Sequence, residues 1–364
     1  MRNIVLFGGA FDPIHLGHIN MAKCVSDALD AEVIFIPAKI SIWKSESAPV
    51  EDKIKMIELS IKDSGFENRF SISRVEADSK EDQTYSIDTV KYFKDKYPED
   101  KLYLLIGQDQ VNSFHKWKDA SLISKLAQIV FFERLNEQSL NENVKEYNMI
   151  GINGEINDIS SSDIRELKSL EVSDSVINYI IDNDLYFMKK IKGMMNERRY
   201  AHSKSVAKLS YEIAKSNHLN EPKKTLIAGL IHDCGKDLPK DEEKEIMVEH
   251  YKEYLEFPRI IYHQFTGEYL ANKVFGINDN DILTSIKYHT TGNSNIGDIG
   301  LIVYAADKIE PTRGFDSRDL IDAMKQDLYT GFDKVMKANI EYFNEKEIEY
   351  KNPLTLACIK QYCK

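Results

Sequence analysis

Two sets of side chains in this sequence have the types and spacing to handle phosphate. The first lies in the run Gly8-Gly9-Ala10-Phe11-Asp12-Pro13-Ile14-His15-Leu16-Gly17-His18, which follows a short apolar run and opens a stretch of helical periodicity. A helix N-terminus offers unpaired N–H groups and the favourable end of a dipole to an anion. Gly8, Gly9 and Gly17 let a ligand approach the backbone, and His15 and His18, three apart, face one side of the first turn. The chemistry implied is the holding of a phosphate chain by two imidazoles and backbone donors. The pattern G-x-G-x-x-G and the Walker lysine are absent, so neither a dinucleotide redox site nor a P-loop is expected.

The second set is His202, His232-Asp233, His263, His289 and Asp307. Adjacent helical residues point about 100° apart, so a metal sits between His232 and Asp233 only if other helices bring the remaining ligands. The spacing supplies one ligand per helix, which describes a metal site in the core of a bundle. Imidazole mixed with carboxylate suits first-row metals such as Fe, Mn or Zn, and six candidate ligands suffice for two ions. An acid and an imidazole ending the apolar run Gly229-Leu230-Ile231 need partners when buried. His115, His218 and His250 read as ordinary surface or core histidines, and Cys234 as packing.

Different elements must position the two sets. Ile4 to Phe7, Val33 to Ile36, Leu102 to Ile106 and Ile129 to Phe132 are continuous apolar runs, the signature of strands buried on both faces. Between and after them, Ile19 to Leu29, Val50 to Ile61, Ile87 to Tyr97 and Val176 to Ile181 carry helical spacing, so a doubly wound α/β domain with a parallel sheet is expected. From about Ile191 strand runs disappear and an all-α bundle is expected, with the boundary near Lys189 to Gly193, giving domains 1–190 and 191–364. A length of 364 residues fits two domains, and 42% hydrophobic with 29% charged residues is enough to bury two cores. The formal net charge of −11 speaks against nucleic acid as a partner. Four cysteines without C-x-x-C spacing and the lack of any long apolar run point to a reducing cytoplasm and away from a membrane. Homo-oligomerisation is left open by the sequence.

The first set, with four further stretches, resembles the H-x-G-H nucleotidyltransferases and, within them, nicotinate-nucleotide adenylyltransferase. The stretches are Tyr85-Ser86-Ile87-Asp88-Thr89, Ile106-Gly107-Gln108-Asp109 with Trp117 downstream, Arg134 after Phe131-Phe132, and Ile159-Ser160-Ser161-Ser162-Asp163-Ile164-Arg165. The resemblance covers nearly all of Met1 to Tyr186 and implies a Rossmann-like fold that transfers AMP from ATP to nicotinate mononucleotide. Deamido-NAD forms, pyrophosphate leaves, and Mg²⁺ accompanies the ATP. A phosphate oxygen attacks the α-phosphorus in line, so the protein's task is positioning and charge stabilisation rather than covalent catalysis. The resemblance implies catalytic roles for His15, His18 and Arg165, and substrate binding by Gly8, Gly9, Phe11, Lys44, Thr89, Gly107, Asp109, Trp117, Arg134 and Ser161. Some roles have a plain alternative. Trp117 faces the charged pyridine ring or is a half-buried core residue. Asp109 binds ribose hydroxyls or caps the next helix, and Arg134 pairs with substrate or makes an exposed salt bridge. Where the family has Pro-His-Lys this chain has Ile42-Trp43-Lys44, which keeps the lysine and offers Trp43 to the pyridine pocket. A pantetheine-phosphate adenylyltransferase is the nearest rival.

Around the second set, Arg199-Tyr200-Ala201-His202-Ser203, Gly229 to Lys236, His289-Thr290-Thr291-Gly292 and Ala306 to Arg313 resemble the HD phosphohydrolases, in particular symmetrical diadenosine tetraphosphatases. This resemblance runs from about Ile191 to Asp316. It implies two ions, Fe or Mn, on His202, His232, Asp233, His263, His289 and Asp307, with Asp233 and Lys236 catalytic, and cleavage of diadenosine tetraphosphate to two ADP. Lys236, Lys308 and Arg313 touch phosphate or are merely solvated. A different nucleotide phosphohydrolase and a non-catalytic nucleotide sensor are the rivals. The stretch Asp333 to Tyr350 reads as a solvated amphipathic helix.

Overall fold

The four apolar runs become the centre of a parallel sheet in the computed structural model, which describes residues 1–39, 47–81, 83–133, 142–154, 159–346 and 352–363. The strands are β1 (Asn3–Gly9), β2 (Ala31–Pro37), β3 (Phe70–Ile72), β4 (Lys101–Ile106), β5 (Gln128–Glu133) and β6 (Ile150–Asn153), in the order β3-β2-β1-β4-β5-β6. Leu6 pairs with Ile34 on one side and Leu104 on the other, and these join Ile87, Val90 and Phe93 in one core. β3 and β6, the edge strands, are the ones the apolar pattern misses. β3 has 3 residues, and β6 is mostly exposed, so neither carries a continuous apolar run.

Helices α1 (Leu16–Leu29), α2 (Val50–Ser64), α3 (Ser86–Lys96), α4 (Gln108–Val111), α5 (Ser161–Arg165) and α6 (Asp174–Asp182) surround the sheet. Local chemistry bounds them. α2 starts after Pro49 with Glu51 and Asp52 in its first turn, where carboxylates complement the dipole, and stops at Gly65, whose φ of 72° suits glycine. Because the strand order reverses between β1 and β4, a crevice opens beyond their carboxyl ends, the place where such sheets bind ligands.

The chain divides into two units, Met1–Tyr186 and Phe187–Lys364. Among the described residues the second unit has helices and no strand. Its site is built from α7 (Glu197–Ser216), α8 (Lys223–Ile231), α9 (Tyr262–Phe275), α10 (Asn280–Tyr288) and α11 (Gly297–Ile309). The tail helix α12 (Leu328–Glu345) is not simply solvated. It buries Phe332, Val335 and Met336 in one core with Tyr304 of α11, with the Phe332 and Tyr304 rings 5.5 Å apart. Among the described residues no helix is long and apolar enough to cross a membrane.

Candidate functional site

A cavity of about 380 Å³ opens at the carboxyl ends of β1 and β4. Gly8, His15, His18, Gly107 and Asp109 line it, together with Phe132 and Ile159, which stand in the resembling stretches without an assigned role. His15 is the N-cap of α1 and His18 its third residue, and their rings stack with centroids 3.6 Å apart. The His15 backbone N–H donates to His18 Nδ1 at 3.3 Å. A nitrogen that accepts from a backbone amide carries no proton, so the neutral His18 bears its proton on Nε2. Burial pushes His15 down to about 4, and burial with His15 alongside holds His18 well below the usual range. Two neutral imidazoles can stack where two imidazolium ions would repel.

The loop that carries them is tied from behind. Asp12 Oδ1 accepts from the Ala48 N–H at 3.0 Å and the Tyr186 hydroxyl at 2.8 Å. Arg165 donates to the Asp12 carbonyl and to Ser162 Oγ, Ser161 Oγ donates to the Pro13 carbonyl at 2.9 Å, and the Leu16 N–H meets the Glu171 carbonyl at 2.9 Å. Arg165 and Ser161 thus touch the cradle loop without lining the cavity. Gly9 and Phe11 do not line it either. Phe11 lies in the left-handed region at φ 45°, buried with its ring edge-on to Phe7 and His18 at 5.2 and 5.1 Å, which braces His18 from below. Thr89 is buried and donates to Glu76 at 2.7 Å, and Trp117 is half-buried against Phe114. Asp109 is exposed in the first turn of α4. Lys44, with Ile42 and Trp43, and Arg134 lie outside the described residues. Tyr186 carried no sequence signal, being 174 residues from its partner.

In the second unit, small residues bring the ligand-bearing helices together. A side chain at Gly229 would place its Cβ 2.7 Å from the Ala207 backbone, so only glycine lets α8 cross α7 closely enough to set His232 beside His202. Gly235 does the same for the turn after α8, where a Cβ would overlap Thr266 and the His263 carbonyl of α9.

His232, His263 and His289 share one geometry. Each directs Nδ1 at the carbonyl three residues earlier: Gly229 at 2.8 Å, Ile260 at 2.9 Å and Ile286 at 2.8 Å. A carbonyl only accepts, so each Nδ1 holds the proton and each Nε2 presents a lone pair. Those three Nε2 atoms stand 3.7, 3.6 and 3.5 Å from Asp233 Oδ1. Burial keeps His263 and His289 low, hence neutral. Burial disfavours the charged form of Asp233, but the positive charge around it, Lys236 at 3.3 Å included, outweighs that and holds the carboxyl well below the usual range. Lys308 and the histidines do the same for Asp307.

Two groups of donor atoms converge, His202 with His232 and Asp233, and Asp233 with His263 and His289. The buried His232 Nε2 has no hydrogen-bond partner, an uncommon state for a buried lone pair and the one a metal relieves. Neutral imidazoles around ionised carboxylates are the donor set of a divalent first-row ion, so the residues fit a metal. His202 differs from the others. Its Nε2 is 3.0 Å from Asp307 Oδ1 and its Nδ1 2.9 Å from Glu310 Oε1, and against the pull of burial these carboxylates raise its pKa. Glu310, 1% exposed, was passed over in the sequence because its role appears only when α11 meets α7. Beside the histidines a cavity of about 320 Å³ is lined by Arg198, Arg199, Lys236 and Arg313. Lys236 Nζ lies 3.3 Å from both Asp233 oxygens.

Comparison with known proteins finds a family match over each unit. Residues 6–167 match the cytidylyltransferase-like family and residues 199–312 the HD domain. A Mycoplasma genitalium protein named "probable nicotinate-nucleotide adenylyltransferase/Ap4A hydrolase" is 32% identical over 325 residues, 86% of this chain and 88% of that one. Its namesake in Mycoplasma pneumoniae is 28% identical over 344 residues, 92% of this chain and 98% of that one. A "probable nicotinate-nucleotide adenylyltransferase" of Aquifex aeolicus is 39% identical over 145 residues, 39% of this chain and 82% of that one. With both family models matched and 32% identity along most of its length, the chain belongs to the nicotinate-nucleotide adenylyltransferase/Ap4A hydrolase family.

Proposed function

We propose that the first unit transfers AMP from ATP to nicotinate mononucleotide and that the second hydrolyses diadenosine tetraphosphate to two ADP. The observation that carries this is a cavity in each unit, one lined by His15 and by His18, whose Nε2 carries the proton, and the other lined by Arg198, Arg199, Lys236 and Arg313 beside the two converging groups of histidine and aspartate atoms. In the first unit His15 and His18 hydrogen-bond the ATP phosphates at the N-terminus of α1, while Arg165 and Ser161 hold the loop in register. A phosphate oxygen of the mononucleotide attacks the α-phosphorus, and the bond to the bridging oxygen of pyrophosphate breaks. Gly107 and Asp109 face the nucleotide from the end of β4 and the first turn of α4, and the family resemblance assigns Lys44 and Arg134 to the substrate's negative charge.

In the second unit His202, His232, Asp233, His263 and His289 would hold the metal, with Asp233 shared between the two converging groups, and Asp307, whose Oδ1 lies 3.7 Å from His232 Nε2, would complete the set. When bound, Mg²⁺ with ATP in the first unit and first-row ions such as Fe or Mn in the second supply Lewis acidity and offset phosphate charge. Arg199, Lys236 and Arg313 orient the tetraphosphate so that water attacks a phosphorus beside the central bridging oxygen and ADP leaves.

The test is product analysis by anion-exchange chromatography on the purified full chain. Nicotinate mononucleotide with ATP should give deamido-NAD and pyrophosphate, and diadenosine tetraphosphate should give ADP alone, in a reaction stopped by chelation. Preference for nicotinamide mononucleotide or phosphopantetheine would overturn the first assignment. Equal amounts of AMP and ATP, or hydrolysis undiminished after chelation, would overturn the second.

A further inference from the structure

The HD unit has a second cavity, about 460 Å³, with walls unlike those of the site beside the histidines. Phe315, Leu320, Val335 and Tyr342 make it largely apolar and aromatic. Lys308 and Arg313 also line it, and both reach the metal-ligand cluster. Lys308 Nζ donates to Asp307 Oδ2 at 2.7 Å and to the His289 carbonyl at 3.3 Å, and Arg313 donates to Asp307 Oδ1. Arg313 also lines the cationic cavity over His202 and Asp233, so a single guanidinium borders both spaces. Phe315 and Tyr342 are 51% and 54% exposed, a large apolar investment to leave open to water.

A polyanion-binding space that adjoins an aromatic one across an arginine matches the two chemistries of a nucleotide, phosphate at one end and a flat heterocycle at the other. We infer that this cavity is a nucleoside subsite, taking the base and ribose of one end of a nucleotide whose phosphates lie over the histidines. The inference rests on the hydrolase reading above and adds what that reading lacks, a place for the base. Its volume falls within the range of small-molecule sites. Stacking on aromatic rings tolerates any base, because every base has a π-face, so the subsite selects nucleotides over bare polyphosphate without choosing adenine over guanine.

The test uses the metal-loaded full chain. Tyr342→Ala and Phe315→Ala should each raise KM for diadenosine tetraphosphate about tenfold with little change in kcat, the size expected for loss of one stacking face. Tyr342→Phe should behave as wild type, and inhibition by inorganic tripolyphosphate should be the same in all four proteins. The guanosine analogue should have a KM within a few-fold of the adenosine compound. Photolabelling with 8-azido-ADP, followed by peptide mapping, should mark the segments holding Phe315 or Tyr342, and the mark should vanish in Tyr342→Ala. An unchanged KM in both alanine variants, tripolyphosphate inhibition that weakens in step with KM, or labelling of the HD unit elsewhere would overturn the subsite. If the wild type left diadenosine tetraphosphate intact but was labelled at these segments, the subsite would stand and the assigned substrate would fall.

Discussion

At the start of α1, His18 takes a backbone N–H on Nδ1 and is left with Nε2–H to give, whereas at the ends of α8 and α10, His232 and His289 give Nδ1–H to a carbonyl and keep an Nε2 lone pair. The difference follows from the backbone group each ring meets: an amide N–H ahead of α1 leaves His18 a donor, and a carbonyl three residues back leaves His232 and His289 acceptors, as the Ile260 carbonyl does for His263 in the first turn of α9. The first unit thereby addresses an anion and the second a cation with the same side chain.

Several experiments bear on that contrast. Asp233→Ala should abolish hydrolysis, since the carboxylate belongs to both donor groups, and leave adenylyl transfer intact. Loss of both activities in a folded variant would end the separation of the sites. His18→Ala should lower adenylyl transfer on the order of a hundredfold to a thousandfold with hydrolysis unchanged, as removal of one preorganised donor does.

Acid should separate the units as well. Above pH 6.5 neither the folded nor the unfolded chain protonates His15. Below it the unfolded chain takes a proton that the folded one refuses until about pH 4. Stability of the first unit should therefore fall with falling pH across that window, by on the order of 3 kcal/mol. Urea unfolding followed against pH checks this, and an unchanged slope in His15→Gln would refute the assignment. In the second unit protons compete with metal for Nε2, so excess metal should reverse acid losses there and have no such effect on the first unit. The smallest effect concerns Glu310. Glu310→Ala should weaken metal binding roughly tenfold to a hundredfold, and Glu310→Gln, whose amide oxygen still accepts from His202 Nδ1, should restore most of it in a metal titration.

Legibility in the sequence followed contiguity and burial. β1, β2, β4 and β5 were plain because strands covered on both faces must be apolar throughout, while β3 and β6, short or exposed, left no pattern. The cradle was legible because His15, Gly17 and His18 act within one turn. The candidate metal site was legible only as a set, since its residues come from five separate segments and Gly229 and Gly235 decide how closely those segments meet. Phe11 and Thr89 look the same in sequence whether they touch a ligand or pack, and packing is where the fold puts them. Glu310 and Tyr186 act across 108 and 174 residues, a distance at which no local spacing can announce a partner.

Those long ties around the cradle also set a timetable. The ribosome delivers Gly8 to His18 first, but the groups that fasten the loop, Ser161 to Pro13 and Tyr186 to Asp12, emerge 148 and 174 residues later. A nascent chain can assemble the middle of its sheet with the loop held only by its nearer ties, the Ala38 N–H on the Gly9 carbonyl and the Ala48 N–H on Asp12. Capture of a triphosphate is then deferred until the unit is finished, and a chain released short of Tyr186 would carry a folded scaffold without a working grip.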